Sequence, residues 1–346
     1  MSRVCVLVVV VALGALGCAS GEPDEPSASS APSVGTVVVE GLQGPTQIAW
    51  HPDGRLLVAQ IGEGEGTPTG SILAIDLESP QDREVLVRGL DTPTGVSAAG
   101  GRLWIMERTR LVMAPLGGGA TQVVFADMPN NGRSEGSLTT LADGRLMFDT
   151  SGRRSGNGFS ENSGTLWVID PMAPPSGEDG YGQAILDGMK HAYAVAELSD
   201  GRLAVTEMSD GSFDGDPAPD ELLLIQPDPD RTLNGGWPRC IGNRMPVREF
   251  DGTAAECEAT VPSRAVFEPG ATPTGVAVAP WDPQLILVTQ WTQDRIVAVS
   301  LAGVPPATAE VAFDGIPTPQ HLLVDGDRVL VSSHTGGQIL ALTDPG

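Results

Sequence analysis

Asp53-Gly54-Arg55-Leu56, Gly100-Gly101-Arg102-Leu103, Asp143-Gly144-Arg145-Leu146 and Asp200-Gly201-Arg202-Leu203 are four versions of one phrase. Each stands between two apolar runs. Gly in this place accepts the positive φ that a tight hairpin needs, so each phrase marks a strand, a turn and a second strand. Trp281-Asp282-Pro283-Gln284-Leu285 and Asp325-Gly326-Asp327-Arg328-Val329 fill the same role further along, which makes six hairpins.

Most hairpins are followed by two more short apolar runs. They fall at residues 71–76 and 84–88 in the first unit, 110–115 and 121–126 in the second, 164–170 and 183–186 in the third, and 295–301 and 309–313 in the fifth. Four antiparallel strands in a repeat of about 40–50 residues make a propeller blade. In unit four the third strand is predicted at 221–226 and the fourth only at 264–268, so 227–263 is an insertion. Unit six has strands at 321–325, 328–332 and 338–343 and lacks one. An unclaimed strand at 36–40 precedes unit one. Pairing it with unit six removes two exposed edges and closes the ring. The fold predicted is an all-β, six-bladed β-propeller over residues 34–346, its last blade completed by the N-terminal strand.

Composition agrees. Gly 44 and Pro 29 supply many turns, and 40% hydrophobic residues suffice for a large core. A net charge of −24 argues against a nucleic-acid partner, because such binding depends on Lys and Arg neutralising phosphates.

Arg3 precedes an apolar run over residues 4–16, too short for a transmembrane helix and right for the core of a signal peptide. The run ends in Ala15-Leu16-Gly17-Cys18, which resembles a bacterial lipobox. Residues 1–17 are therefore expected to be a signal peptide, Cys18 a lipidation site, and 18–33 a flexible linker rich in Ser, Pro and Ala. The protein is expected to be exported and lipid-anchored, touching the membrane through that anchor alone. Cys5 lies in the signal, which leaves Cys240 and Cys257 in the insertion. In an oxidising compartment the expected state is a disulfide, stapling a loop with little apolar content of its own.

Loops that lead into each first strand and leave each second strand line one mouth of a propeller. Two such segments are rich in chemistry. Residues 189–238 contain Lys190-His191, then Met208-Ser209-Asp210-Gly211, then Asp214, Asp216, Asp220 and Glu221. Clustered carboxylates and carbonyls suit Ca2+, which takes six to eight oxygens. Asn130-Asn131-Gly132-Arg133-Ser134-Glu135 forms the second segment.

Asp220-Glu221-Leu222-Leu223-Leu224-Ile225, followed by Asn234-Gly235-Gly236-Trp237-Pro238-Arg239-Cys240, resembles the soluble glucose/sorbosone dehydrogenase family. Gly41-Leu42, Pro45, Ala49-Trp50, the first hairpin and Gly164-Thr165-Leu166-Trp167-Val168-Ile169-Asp170 extend the resemblance. Members are six-bladed propellers that bind pyrroloquinoline quinone (PQQ) and Ca2+ and oxidise sugars. The resemblance implies cofactor contacts at Lys190 and His191, where the family has Arg-Asn. It implies metal-holding carbonyls at Ser209 and Asp210, and a structural Ca2+ at Asp220 and Glu221. The family's catalytic His falls on Arg133, with no His beside it. Glu135 and His191 are the candidates to replace it, and Pro317 to Pro319 stand where the family has two Arg. Three functions follow: a PQQ- and Ca2+-dependent oxidoreductase acting on a small sugar or aldehyde with an altered base; a propeller that binds a ligand or protein without catalysis; and a metal-dependent lactonase.

Overall fold

The computed structural model describes residues 35–346, apart from 133, 178, 179 and 210. The signal peptide, Cys18, the linker, Arg133 and Asp210 thus lie outside the described residues. Six small antiparallel sheets form a six-bladed propeller with almost no helix. The innermost strands, Pro45–Trp50, Gly95–Ala99, Thr139–Thr140, Ala192–Glu197, Val276–Val278 and Pro319–Asp325, line the axis.

Each second strand carries at least three consecutive apolar residues instead of an alternating pattern. Leu56–Gln60, for example, is buried at every residue. That pattern follows from the architecture, because a strand in the middle of a blade packs a neighbouring blade on both faces. The core is accordingly divided into six clusters, one between each adjacent pair of blades. The cluster between the last and first blades joins Leu330, Ile339 and Ala341 to Ile48, Leu56 and Val58. It is the cluster that seals the ring.

Closure takes the expected form. Thr36–Val39 pairs antiparallel with Gln338–Leu342, Thr36 opposite Ala341 and Val37 opposite Leu340. From the axis outward the last blade runs Pro319–Asp325, Arg328–Ser333, Gln338–Leu342, Thr36–Val39.

The blade-four insertion does something the sequence reading did not anticipate. Leu233–Asn234 leaves its own blade and adds a parallel fifth strand to Gln183–Asp187 of blade three. Gly235 and Trp237 then donate backbone N–H groups to the carbonyls of Asp187 and Gly188, both at 2.7 Å. Cys240 and Cys257 are disulfide-bonded, as expected. The expectation of little apolar content is corrected. Trp237, Ile241, Val247 and Phe250 of the insertion bury themselves with Phe213 and Ala218 in a core of their own. A five-residue helix, Ala254–Glu258, carries Cys257 and is held by a capping box between Thr253 and Glu256.

Candidate functional site

Two hollows open beside blades three and four. The larger is a cleft of about 670 Å3. Its floor is the turn leaving blade three's second strand, Leu146–Thr150. That turn continues as Gly152-Arg153-Arg154 into a small hairpin in which Arg154–Ser155 pairs with Gly158–Phe159. The hairpin is docked on the insertion: Asn157 donates to Asp251 at 2.6 Å, and Phe159 packs on the insertion's core. The insertion supplies the opposite wall with Trp237, Glu249 and Phe250. It is fixed in place by Asp214, whose carboxylate accepts the N–H groups of Arg248 and Glu249, both at 2.8 Å.

Among the described residues three cations meet in this cleft: Arg153, Arg154 and Lys190. The Arg154 guanidinium lies 4.8 Å over the Phe250 ring, and Lys190 Nζ 5.8 Å from the Trp237 ring. Both distances suit cation–π contact. Arg55, Arg145 and Arg202 elsewhere pair with carboxylates. Arg153 and Arg154 form no such pair among the described residues. In a chain of net charge −24, two adjacent Arg with no ion pair among the described residues stand in a concave, aromatic-lined cleft that also carries Glu249, and their guanidinium groups offer charge-assisted donors to an anion.

The second hollow lies on the axis. Thr46, Thr94, Ser134, Tyr193, Thr274 and Gln320 line it, one from each blade. The next residues along several of these strands, including Gln47 and His321, line the opposite mouth. Across the axis, the Gln320 amide donates to the Tyr193 hydroxyl at 2.6 Å.

The sequence-predicted residues separate. Lys190 reaches the cleft, while His191 turns inward and is buried on the wall of the axial cavity. Glu135 is wholly buried and exposes nothing to either hollow. It nonetheless meets His191, with Asp149 completing a cluster whose ligand atoms all lie within 4.8 Å of one another. Glu135 Oε2 accepts the Ser151 N–H at 2.7 Å, and Asp149 Oδ1 accepts the Gly136 N–H at 2.8 Å. Burial pushes the Asp149 carboxyl up to about 8. Burial, then the Asp149 charge, raises Glu135 well above the carboxylate range.

Ser209, Asp220 and Glu221 are buried together. Asp220 accepts the Ser209 N–H on Oδ1 and the Thr272 N–H on Oδ2, both at 2.8 Å. Glu221 accepts the Asn243 N–H at 2.6 Å and the Ser263 hydroxyl. Opposite it in the strand pair stands Glu207, whose carboxyl burial and the Glu221 charge push up. Among the described residues no three side-chain ligands converge on a point there, as they do at Glu135, Asp149 and His191.

Arg153, Arg154 and Asp149 are the residues sequence reasoning passed over. Each carried a signal. Arg-Arg directly follows a second strand, where loops reach the mouth. Asp149 is the single charge inside the apolar strand Leu-Met-Phe-Asp-Thr.

No family model and no curated protein matches the sequence. Solved structures do. A Trichoderma reesei carbohydrate-active enzyme of family AA12, a calcium structure, superposes with a TM-score of 0.72 at 17% identity, covering 91% of this chain and 98% of that one. The PQQ domain of a Coprinopsis cinerea pyranose dehydrogenase gives 0.70 at 16% identity, covering 89% and 94%. The PQQ-bound aldose sugar dehydrogenase of Streptomyces coelicolor gives 0.66 at 20% identity, covering 89% and 96%. This chain has the fold of these sugar dehydrogenases. At such identities the likeness concerns the fold, and function has to be argued from the site.

Proposed function

We propose that this chain is an oxidoreductase-type propeller that holds a planar polycarboxylate quinone of the PQQ kind in the cleft between blades three and four. The observation that carries the reading is the meeting of Arg153, Arg154 and Lys190 with the Trp237 and Phe250 rings in a strongly acidic protein. PQQ bears three carboxylates on a flat ring system. Arg offers a two-pronged donor for a carboxylate, Lys a point charge, and the rings a flat apolar face. The Arg pair of the blade-three hairpin supplies here the cationic groups that Pro317 to Pro319 do not. Bound PQQ supplies a two-electron acceptor for the alcohol carbon of a small sugar or aldehyde hydrate.

Lys190 is positioned from two sides: its N–H donates to the Glu207 carboxylate at 2.7 Å, and its carbonyl accepts the Gly152 N–H at 2.7 Å. Arg153 and Arg154 neutralise negative charge at the hairpin. A second reading, a propeller that binds such a ligand without oxidising substrate, is favoured by one observation: no His lines the cleft among the described residues. We also place Ca2+ beside Asp220 and Glu221, and the chain at a membrane surface through Cys18.

Equilibrium binding of PQQ in the presence of Ca2+, followed by Trp fluorescence, tests the proposal. The double variant Arg153→Ala/Arg154→Ala is expected to bind at least about tenfold more weakly, the loss of charge-assisted bonds to one carboxylate. No PQQ binding, or equal binding by the variant, would refute it. Dye reduction with aldoses then separates the two readings. Turnover supports the enzyme, and binding without turnover supports the non-catalytic propeller.

A further inference from the structure

We propose that Glu135, Asp149 and His191 form a binding site for a divalent transition-metal ion of the Zn2+ class, at the wall of the axial cavity and apart from both the cationic cleft and the Asp220–Glu221 pair. The three come from different parts of the fold. Glu135 sits in the loop before blade three's inner strand, Asp149 in blade three's second strand, and His191 in the loop before blade four's inner strand. All three are at most 2% exposed.

The orientation of the two carboxylates is the main argument. Each is anchored by one oxygen to a backbone N–H and presents the other inward: Glu135 Oε2 holds Ser151, and Asp149 Oδ1 holds Gly136. The inward oxygens, Glu135 Oε1 and Asp149 Oδ2, are buried and have no hydrogen-bond partner among the described residues. Two buried carboxylate oxygens aimed at one point are costly unless a cation or proton lies between them. An anchoring bond on the far oxygen is what ligating carboxylates ordinarily have.

Distances select the ion. Asp149 Oδ2 lies 3.4 Å from His191 Nε2. That is too long for a charged hydrogen bond of about 2.7–2.9 Å. It matches the edge of a tetrahedron, about 3.4 Å, whose centre is about 2.1 Å from each corner, the usual Zn–N and Zn–O length. One imidazole and two carboxylates suit Zn2+, Mn2+ or Fe2+. Ca2+ prefers a larger, all-oxygen shell. Three protein ligands leave a fourth position for water or a bound group, and two carboxylates offset the ion's charge. Ser134 and His191, which line the axial cavity, give the route in.

The backbone is built around the cluster. A Cβ on Gly136 would stand 2.3 Å from the Tyr193 carbonyl oxygen and 2.7 Å from Asp149 Oδ1, so only Gly lets the loop lie against the Asp149 carboxylate.

The test uses the full chain, stripped with chelator and returned to constant Ca2+, then titrated with Zn2+ and separately with Co2+. No quinone is present, so the outcome is independent of the proposed function. One equivalent of metal per chain is expected, with visible Co2+ absorption of tetrahedral type. The melting temperature should rise by roughly 3–6 °C at 100-fold excess over the dissociation constant. The near-isosteric Glu135→Gln and Asp149→Asn variants should lose the Co2+ spectrum, and Asp220→Asn should keep it. Should the first two not fold, His191→Gln and the unmodified chain's Co2+ spectrum still decide. Absence of uptake, uptake that survives Glu135→Gln and Asp149→Asn, or a Co2+ spectrum lost only in Asp220→Asn would overturn the site. So would variants stabilised without metal, which would mark a carboxyl pair sharing a proton.

Discussion

Gln47 and Leu138, 91 residues apart, hold each other by two hydrogen bonds: the Gln47 amide donates to the Leu138 carbonyl at 2.6 Å, and its oxygen accepts the Leu138 N–H at 2.8 Å. The same oxygen accepts the Val96 N–H at 2.9 Å. One side chain of blade one thus satisfies the inner edges of blades two and three. Gln47→Ala should cost about 3–5 kcal/mol, since three buried backbone groups lose their partner at about 1–3 kcal/mol each, partly offset by water. Urea unfolding measures it. A loss below about 1 kcal/mol would mean that water replaces the bridge.

Gly152 joins the cleft to the insertion. A Cβ there would meet the Met189 carbonyl oxygen at 2.3 Å and the Trp237 ring at 2.7 Å. Gly152→Ala should therefore push Trp237 aside, shift its emission and weaken PQQ binding, at a stability cost of about 1–3 kcal/mol. Unchanged emission and affinity would show that the turn moves instead.

Reduction of Cys240–Cys257 should act locally. The bond spans 17 residues and should contribute about 3 kcal/mol by limiting the unfolded loop. Trp237 and Phe250 belong to the insertion it closes, so hydrogen exchange should rise at residues 233–260 while blades one, two and six keep their protection. Uniform acceleration around the ring would contradict a local staple.

Stability should fall in mild acid because of His321. Burial at the axial mouth opposite the cleft pushes its imidazole down to about 4. The unfolded chain takes up this proton near pH 6.5, and the folded chain only near 4. The destabilisation therefore begins as pH drops below about 6.5 and levels off near 4. Among the described residues, the charged side chain that shares this mouth is Glu197, whose carboxylate holds the Ala142 N–H at 2.6 Å. Comparing melting temperatures at pH 7 and pH 5, His321→Gln should lose less than the parent. An equal loss would assign the acid sensitivity to other groups.

The ring was legible in the sequence because its signals are local. Asp-Gly turns and short apolar runs repeat, and the strand at residues 36–40 was surplus to blade one. The parallel strand Leu233–Asn234 was not legible, since two residues carry no period and their partner, Gln183–Asp187, lies in another blade. The cluster of Glu135, Asp149 and His191 was half legible. Glu135 and His191 are polar residues ahead of first strands, where loops reach the mouth. Asp149 was hidden inside a strand, and only the packing of blade three on blade four brings it to His191. Arg153 and Arg154 were only half legible too: their place after a second strand is local, but their aromatic neighbours Trp237 and Phe250 come from the blade-four insertion.

The pairing of Thr36–Val39 with Gln338–Leu342 sets an order of events during synthesis. The strand made first is the one that pairs last, because its partner emerges only after some 300 residues have followed it. Until then Thr36–Val39 has no strand to pair with, and the contacts that seal blade six to blade one do not exist. A ribosome product stopped short of residue 338 is therefore no smaller propeller but an open arc with two raw edges, the kind of species that proteases and chaperones recognise.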